Sequence, residues 1–169
     1  AIAVTRLWLF ATSEMTQQRL SVMIAALWWG AISGMSFVAV PLMFAKMGPA
    51  IAGPVAAKLF SLQCWMALGL GLVLLLILRR QREAALGALD AAEASPNGLA
   101  TMQVVLVTMG IVLLGMLLAM VQEFGVAQKI VTARASGGDL RLWHGLGSVM
   151  VLGQWLCAGE VLWRLSRPK

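Results

Sequence analysis

LATMQVVLVTMGIVLLGMLLAMVQ, residues 99–122, runs for 24 positions without a charged side chain. A helix rises 1.5 Å per residue, so about 20 apolar residues cross the ~30 Å hydrocarbon core of a bilayer. Backbone amides inside that core have no water to bond, and one uninterrupted segment satisfies its own amides only as a helix. The stretch therefore predicts a transmembrane helix.

Three further runs of the same kind lie outward from it, at residues 20–44, 55–78 and 140–162. Turn chemistry separates them. AKMGPAIAGP, residues 45–54, holds two Gly-Pro steps between the first pair. RRQREAALGALDAAEASPNG, residues 79–98, is a charged, partly helical connector ending in Ser95, Pro96, Asn97 and Gly98. ARASGGD, residues 133–139, parts the last pair at Gly137 and Gly138. The expected fold is all-α: an integral membrane bundle of four antiparallel transmembrane helices running up-down-up-down, formed by residues 19–169. No internal repeat marks the chain as an inverted-repeat transporter.

Composition agrees. Hydrophobic residues make up 60% and charged residues 12%, against ~25% charged in ordinary soluble domains. The net charge of +6 sits at the ends of the apolar runs, which suits anionic lipid headgroups, with Arg79, Arg80 and Arg82 foremost, and not nucleic acid. Cys64 and Cys157 fall at different depths and read as small apolar fillers, not a disulfide. Arg6, Arg19, Arg79, Arg80, Arg82, Arg164, Arg167 and Lys169 share one side; Lys46, Lys58, Lys129, Arg134 and Arg141 share the other. The positive-inside rule then places both termini in the cytoplasm of a bacterial inner membrane. Trp143 and Trp163, 20 residues apart, mark the two interfaces of the last helix. Residues 1–18 form a separate segment, either a short interfacial helix with Trp8 and Phe10 buried or a stretch preceding a start at Met15.

Polar groups within such helices are candidate sites, because hydrocarbon penalises them when unpaired. Glu123 ends the third helix and His144, the only histidine, opens the fourth at the same level. Those two, with Gln122, Ser148 and Arg141, form a candidate polar site at the outer mouth. It would take a proton or hold a cation; the plainer reading is a hydrogen-bonded clasp between the two helices. Met102, Met109 and Met116 recur every seven residues and are soft metal candidates beside His144, or ordinary space-filling core. Gly30 and Gly34 form a GxxxG for helix packing. Gln154, near mid-depth, is expected to bond a neighbouring helix, and Glu160 to pair with Arg164 one turn on. One histidine excludes a His-rich zinc site or a bis-histidine haem within the chain. Without a phosphate loop, a Cys-x-x-Cys pair or a nucleophile elbow, no enzyme and no cofactor is expected.

Across residues 20–165 the chain resembles bacterial members of the transmembrane-protein-205-like family, catalogued in bacteria as a domain of unknown function. The resemblance rests on the four-helix layout, on VAVPLMF with Pro41 and Phe44, on AGPVAAKLF with Ala52, Gly53 and Phe60, and on RLWHGLGS. The last is similar to the family's histidine-and-serine motif and maps onto Arg141, His144, Gly145 and Ser148. Val151 stands where relatives tend to carry asparagine, and Gln122 where they tend to carry another; the proline expected after it is missing. The resemblance implies metal or drug handling without specifying a mechanism. Two functions are expected on these grounds. One is a membrane protein handling a metal ion or small solute at the outer polar site, built as an oligomer. The other is an accessory subunit or assembly factor packed into a larger membrane complex.

Overall fold

The computed structural model describes the backbone of residues 2–91 and 96–167, and the side chains of residues 15–87, 98–133 and 136–167. Trp8 and Phe10, expected to be buried in a leaflet, lie outside the described side chains. Helix α1 spans Ile2–Ser33 and passes through a π-helical segment, Gly34–Ala39, into α2, Val40–Ala91. Helix α3 spans Pro96–Val121 and continues through a second π-helical segment, Gln122–Ala127, into α4, Gln128–Ser136. Helix α5 spans Leu140–Ser166. No strand occurs among the described residues.

Three stretches are long and apolar enough to cross a membrane: Met15–Gly87, Gly98–Ala133 and Leu140–Ser166. The outward surface carries Met23, Leu27, Leu72, Leu76, Leu113, Leu117 and Leu156, each about half exposed or more. The interior instead holds Ser21, Gln63, Thr108, Gln122 and Gln154 beside the apolar core of Trp28, Ile32, Leu74, Val112 and Val161. A soluble domain rarely shows so large a continuous apolar surface. Lipid is the solvent that suits it, and the chain is a membrane protein.

The first stretch, 73 residues long, is broken at Gly48, whose φ of 72° and ψ of 164° lie outside the helical region. That conformation is essentially reserved for glycine. Beyond it Pro49 restarts the helix, needing no N–H donor in its first turn. The chain doubles back there, since Ser36 Oγ, before the break, donates to Gln63 Oε1, after it, at 3.1 Å. The expected ten-residue loop at 45–54 is thus helical on both sides of a single glycine. The connector from residue 79, expected to be partly helical, is helical to Ala91. The helix expected to stop at residue 122 continues to Ser136. Leaving the hydrocarbon ends an apolar run, but it does not end a helix whose residues still favour one. What stops α4 is Gly137, left-handed at φ 75°, and what starts α5 is Asp139, whose carboxylate accepts from Leu142 N at 3.0 Å.

Side-chain contacts fix the directions of the helices. Gln18 Nε2 donates to the Leu165 carbonyl at 3.2 Å and Trp155 Nε1 to Ser33 Oγ at 2.9 Å, so α1 and α5 run antiparallel. Met116 lies against Gly71 and Glu123 against Ser61, which makes α2 and α3 antiparallel. Leu118 lies against Gly153 and Cys157 against Gly115, which does the same for α3 and α5.

Candidate functional site

Four hydrogen bonds form a belt around the structure, one at each helix boundary. Ser36 in the first π segment donates to Gln63 of α2 at 3.1 Å. Ser61, two residues before Gln63, donates to Glu123 Oε1 in the second π segment at 2.6 Å. Gln154 Nε2 of α5 donates to Gln122 Oε1 in that same segment at 2.6 Å. Trp155 Nε1 closes the circuit on Ser33, at the end of α1, at 2.9 Å. Both π segments contribute to the belt. A π turn carries one residue more than the α turn, which re-aims the side chains after it, and such turns gather at functional sites.

The belt is not fully satisfied. Gln63 is 1% exposed, and its Nε2 has no partner; Gln154 is fully buried, and its Oε1 has none. Whichever way the Gln154 amide is turned, one end lacks a partner while the other meets Gln122. The unpaired indole N–H of Trp28 lies within the same core. An unsatisfied buried polar atom costs roughly 1–3 kcal/mol. The belt thus holds one donor and one acceptor without a partner among the described residues.

Among the residues singled out from the sequence, Gln122 and Glu123 belong to this belt. His144, Ser148 and Arg141 do not. No hydrogen bond joins Glu123 to His144 among the described residues: the Glu123 carboxylate takes the Ser61 hydroxyl instead. Ser148 Oγ turns back along its own helix to the His144 carbonyl at 3.0 Å, and the His144 side chain is exposed, as is that of Arg141. The clasp expected between Glu123 and His144 does not form; α3 and α5 are joined instead by Gln122 and Gln154, the latter ten residues along α5 from His144. The expected bond from Gln154 to a neighbouring helix is this one, and the Glu160–Arg164 pair forms at 2.7 Å.

Met109 and Met116 pack against the apolar core, and Met102 is half-buried further along α3. Among the described residues no three His, Cys, Asp or Glu side chains gather as a metal site would require. Gly30 and Gly34 are exposed, and a Cβ at either would meet nothing within 4 Å. The glycines at close helix approaches are others: Gly71 against Met116, Gly115 against Trp28, Gly153 against Leu118 and Gly159 against Trp29. Sequence reasoning also missed Ser36, Ser61 and Gln63. Gln63 had a readable signal, an amide inside the apolar run that begins at residue 55; a serine in a helix carries almost none, since it bonds its own backbone as readily as a neighbour.

A family profile described as "domain of unknown function (DUF4149)" matches residues 23–139. The match covers both π segments, Gln63 and Glu123, and stops before His144. No curated protein matched the chain, and no solved structure did. With well over half of its length matched, the chain belongs to the DUF4149 family.

Proposed function

We propose that this DUF4149 member crosses a bacterial inner membrane four times and binds a small polar solute at the Ser36–Gln63–Gln122–Gln154 belt. Four crossings result if the break at Gly48 sits at the membrane surface, dividing the 73-residue stretch into two antiparallel spans. The basic residues then leave both termini cytoplasmic, with Arg79, Arg80 and Arg82 against anionic headgroups. In that orientation the belt lies in the outer half of the bundle, with His144, Ser148 and Arg141 around its outer approach. The likeness of RLWHGLGS to the transmembrane-protein-205-like motif belongs to this proposal too. Binding or passage is the role proposed, with no covalent chemistry, no cofactor and no nucleic acid partner.

The observation that carries the reading is the pair of buried, unpartnered amide atoms, Gln63 Nε2 and Gln154 Oε1. Together they suit a neutral ligand holding both an acceptor and a donor, such as an amide or alcohol. A metal ion would instead use Glu123 and His144. The test is a thermal-shift screen of detergent-purified protein against acetamide, glycerol, glycine and Zn²⁺. A shift with a neutral solute that disappears in Gln63→Leu and Gln154→Leu supports the belt. A Zn²⁺ shift lost in Glu123→Gln and His144→Ala moves the function to the outer mouth as metal handling. If no solute moves the wild type, while the leucine variants lose stability, the belt is only a structural clasp.

One observation favours a second reading, that of an accessory subunit or a homo-oligomer. The Gly30–Gly34 face is free of contacts within the chain, and small residues let a partner helix approach closely. Gly30→Leu with Gly34→Leu should then release a co-purifying protein, or convert an oligomer to monomer, without disturbing the fold.

A further inference from the structure

A groove of about 570 Å³ opens on the outer surface between α1 and α5, sharing Trp155 with the belt. Its floor and walls include Trp29, Trp155, Gly159 and Trp163, with Glu160 and Ser166 at its rim. The volume falls within the range of ligand sites, ~300–1,000 Å³. Gly159 makes the groove: a Cβ there would sit 3.0 Å from Trp29 Nε1. Trp29 and Trp155 stack beneath it, with ring centroids 5.6 Å apart.

One end of the groove is charged. Glu160 is taken up by Arg164 at 2.7 Å. That leaves Arg167, whose guanidinium lies 5.3 Å above the ring of the groove residue Trp163 and has no acidic partner among the described residues. Arg19 is exposed at the same end, next to Gln18, which bonds the Leu165 carbonyl. The Trp29 indole N–H, facing a Gly159 without a side chain, has no hydrogen-bond acceptor among the described residues. The groove therefore runs from an apolar, tryptophan-lined trough past the Trp29 N–H toward two exposed guanidinium groups that have no acidic partner among the described residues.

We infer that this groove is a binding site for one anionic phospholipid. The acyl chain lies along Trp155 and Gly159, the ester region meets the Trp29 N–H, and the phosphate sits between Arg167 and Arg19. Each choice has a chemical reason. Tryptophan prefers the headgroup level of a bilayer. Guanidinium matches phosphate with paired N–H donors. A net positive mouth with one internally neutralised pair selects an anionic headgroup over a zwitterionic one by charge. The site is distinct from the Arg79, Arg80 and Arg82 cluster, none of which lines the groove.

The test is native mass spectrometry of the detergent-purified chain titrated with phosphatidylglycerol or phosphatidylcholine of identical acyl chains. Wild type should retain one phosphatidylglycerol in preference to phosphatidylcholine. Arg19→Gln with Arg167→Gln, both at exposed positions, should reduce that preference about ten- to thirtyfold. Gly159→Phe should lose both lipids by filling the trough, while Arg80→Gln with Arg82→Gln should leave retention unchanged. Glu160→Gln, which releases Arg164, should strengthen phosphatidylglycerol retention. Equal retention of the two lipids by wild type overturns the proposal. So does an unchanged preference in the Arg19→Gln, Arg167→Gln protein, a result that does not require Gly159→Phe to fold.

Discussion

Replacing Gly115 by alanine separates the glycines that hold the helices together from those that only look as though they do. A Cβ at Gly115 would lie 2.9 Å and 3.1 Å from Trp28 ring atoms and 3.3 Å from Cys157 Cβ. Neither neighbour yields easily. Trp28 is 1% exposed and sits in the centre of the core, and the Cys157 contact is a Cβ fixed to the α5 backbone. The added methyl is therefore wedged among α1, α3 and α5, and overpacking of this sort costs typically 1–3 kcal/mol. Alanine recovers about 0.5–1 kcal/mol of the helix penalty that glycine carries. The expected net loss is about 1–2 kcal/mol, or roughly tenfold in the folded-to-unfolded ratio. At Gly30 and Gly34 there is no opposing contact within 4 Å, so only the propensity gain remains. Gly30→Ala and Gly34→Ala should be neutral or stabilising by up to about 1 kcal/mol. Titration of the monomer from mild detergent into dodecyl sulfate, followed by tryptophan fluorescence and circular dichroism, reads both quantities. If Gly115→Ala unfolds with wild type, or if Gly30→Ala loses as much as Gly115→Ala, the assigned helix contacts are wrong.

Gly48→Ala places a side chain at φ 72° and ψ 164° and should cost about 1–3 kcal/mol, measured in the same titration; Gly87→Ala, with open space around it, is the control. Asp139→Ala removes the cap on α5 and should cost about 1 kcal/mol, with Asp139→Asn retaining most of it. Gln154→Leu leaves Gln122 Oε1 without its donor and should destabilise by about 1–2 kcal/mol; adding Gln122→Leu should return most of that loss, because both polar partners are then gone. A double variant no better than the single one would mean that the two amides do not interact.

The apolar runs and the turn residues made the helical, membrane-bound nature of the chain legible, because charge is excluded from hydrocarbon whatever the packing. Element ends were harder to read. Gly48 was marked by its Gly-Pro step, yet nothing local distinguishes a one-residue reversal from a ten-residue loop. Glu123 and Gln122 were visible as polar residues ending an apolar run, but their partners were not. Helical periodicity specifies a face only if the helix is α throughout, and each π segment shifts the register of the residues after it. Glu123 and His144 are parted by helix length as well: the helix holding Glu123 runs on to Ser136 while His144 sits in the first turns of α5, so the two lie at different levels and Glu123 meets Ser61 of α2. The same limit applies to glycine. Gly30 and Gly34 have the spacing of a packing motif, whereas Gly71, Gly115, Gly153 and Gly159 have the contacts. Which glycine faces a bulky neighbour depends on two helices at once.

Stability alone does not account for the belt. Polar bonds between membrane helices average about 0.6 kcal/mol, so four of them contribute about 2–3 kcal/mol. Leaving Gln63 Nε2 and Gln154 Oε1 buried without partners costs roughly 1–3 kcal/mol each, which offsets most or all of that gain. A fully apolar layer of the same volume would hold the helices about as well. Every component of the belt therefore departs from the locally cheaper choice, and all of the departures meet at one level of the bundle. Departures of that kind are expected where a site works and are otherwise unfavourable. A ligand that donates to Gln154 Oε1 and accepts from Gln63 Nε2 removes both penalties at once. Its binding should then raise the stability of the wild type and leave the leucine variants unmoved.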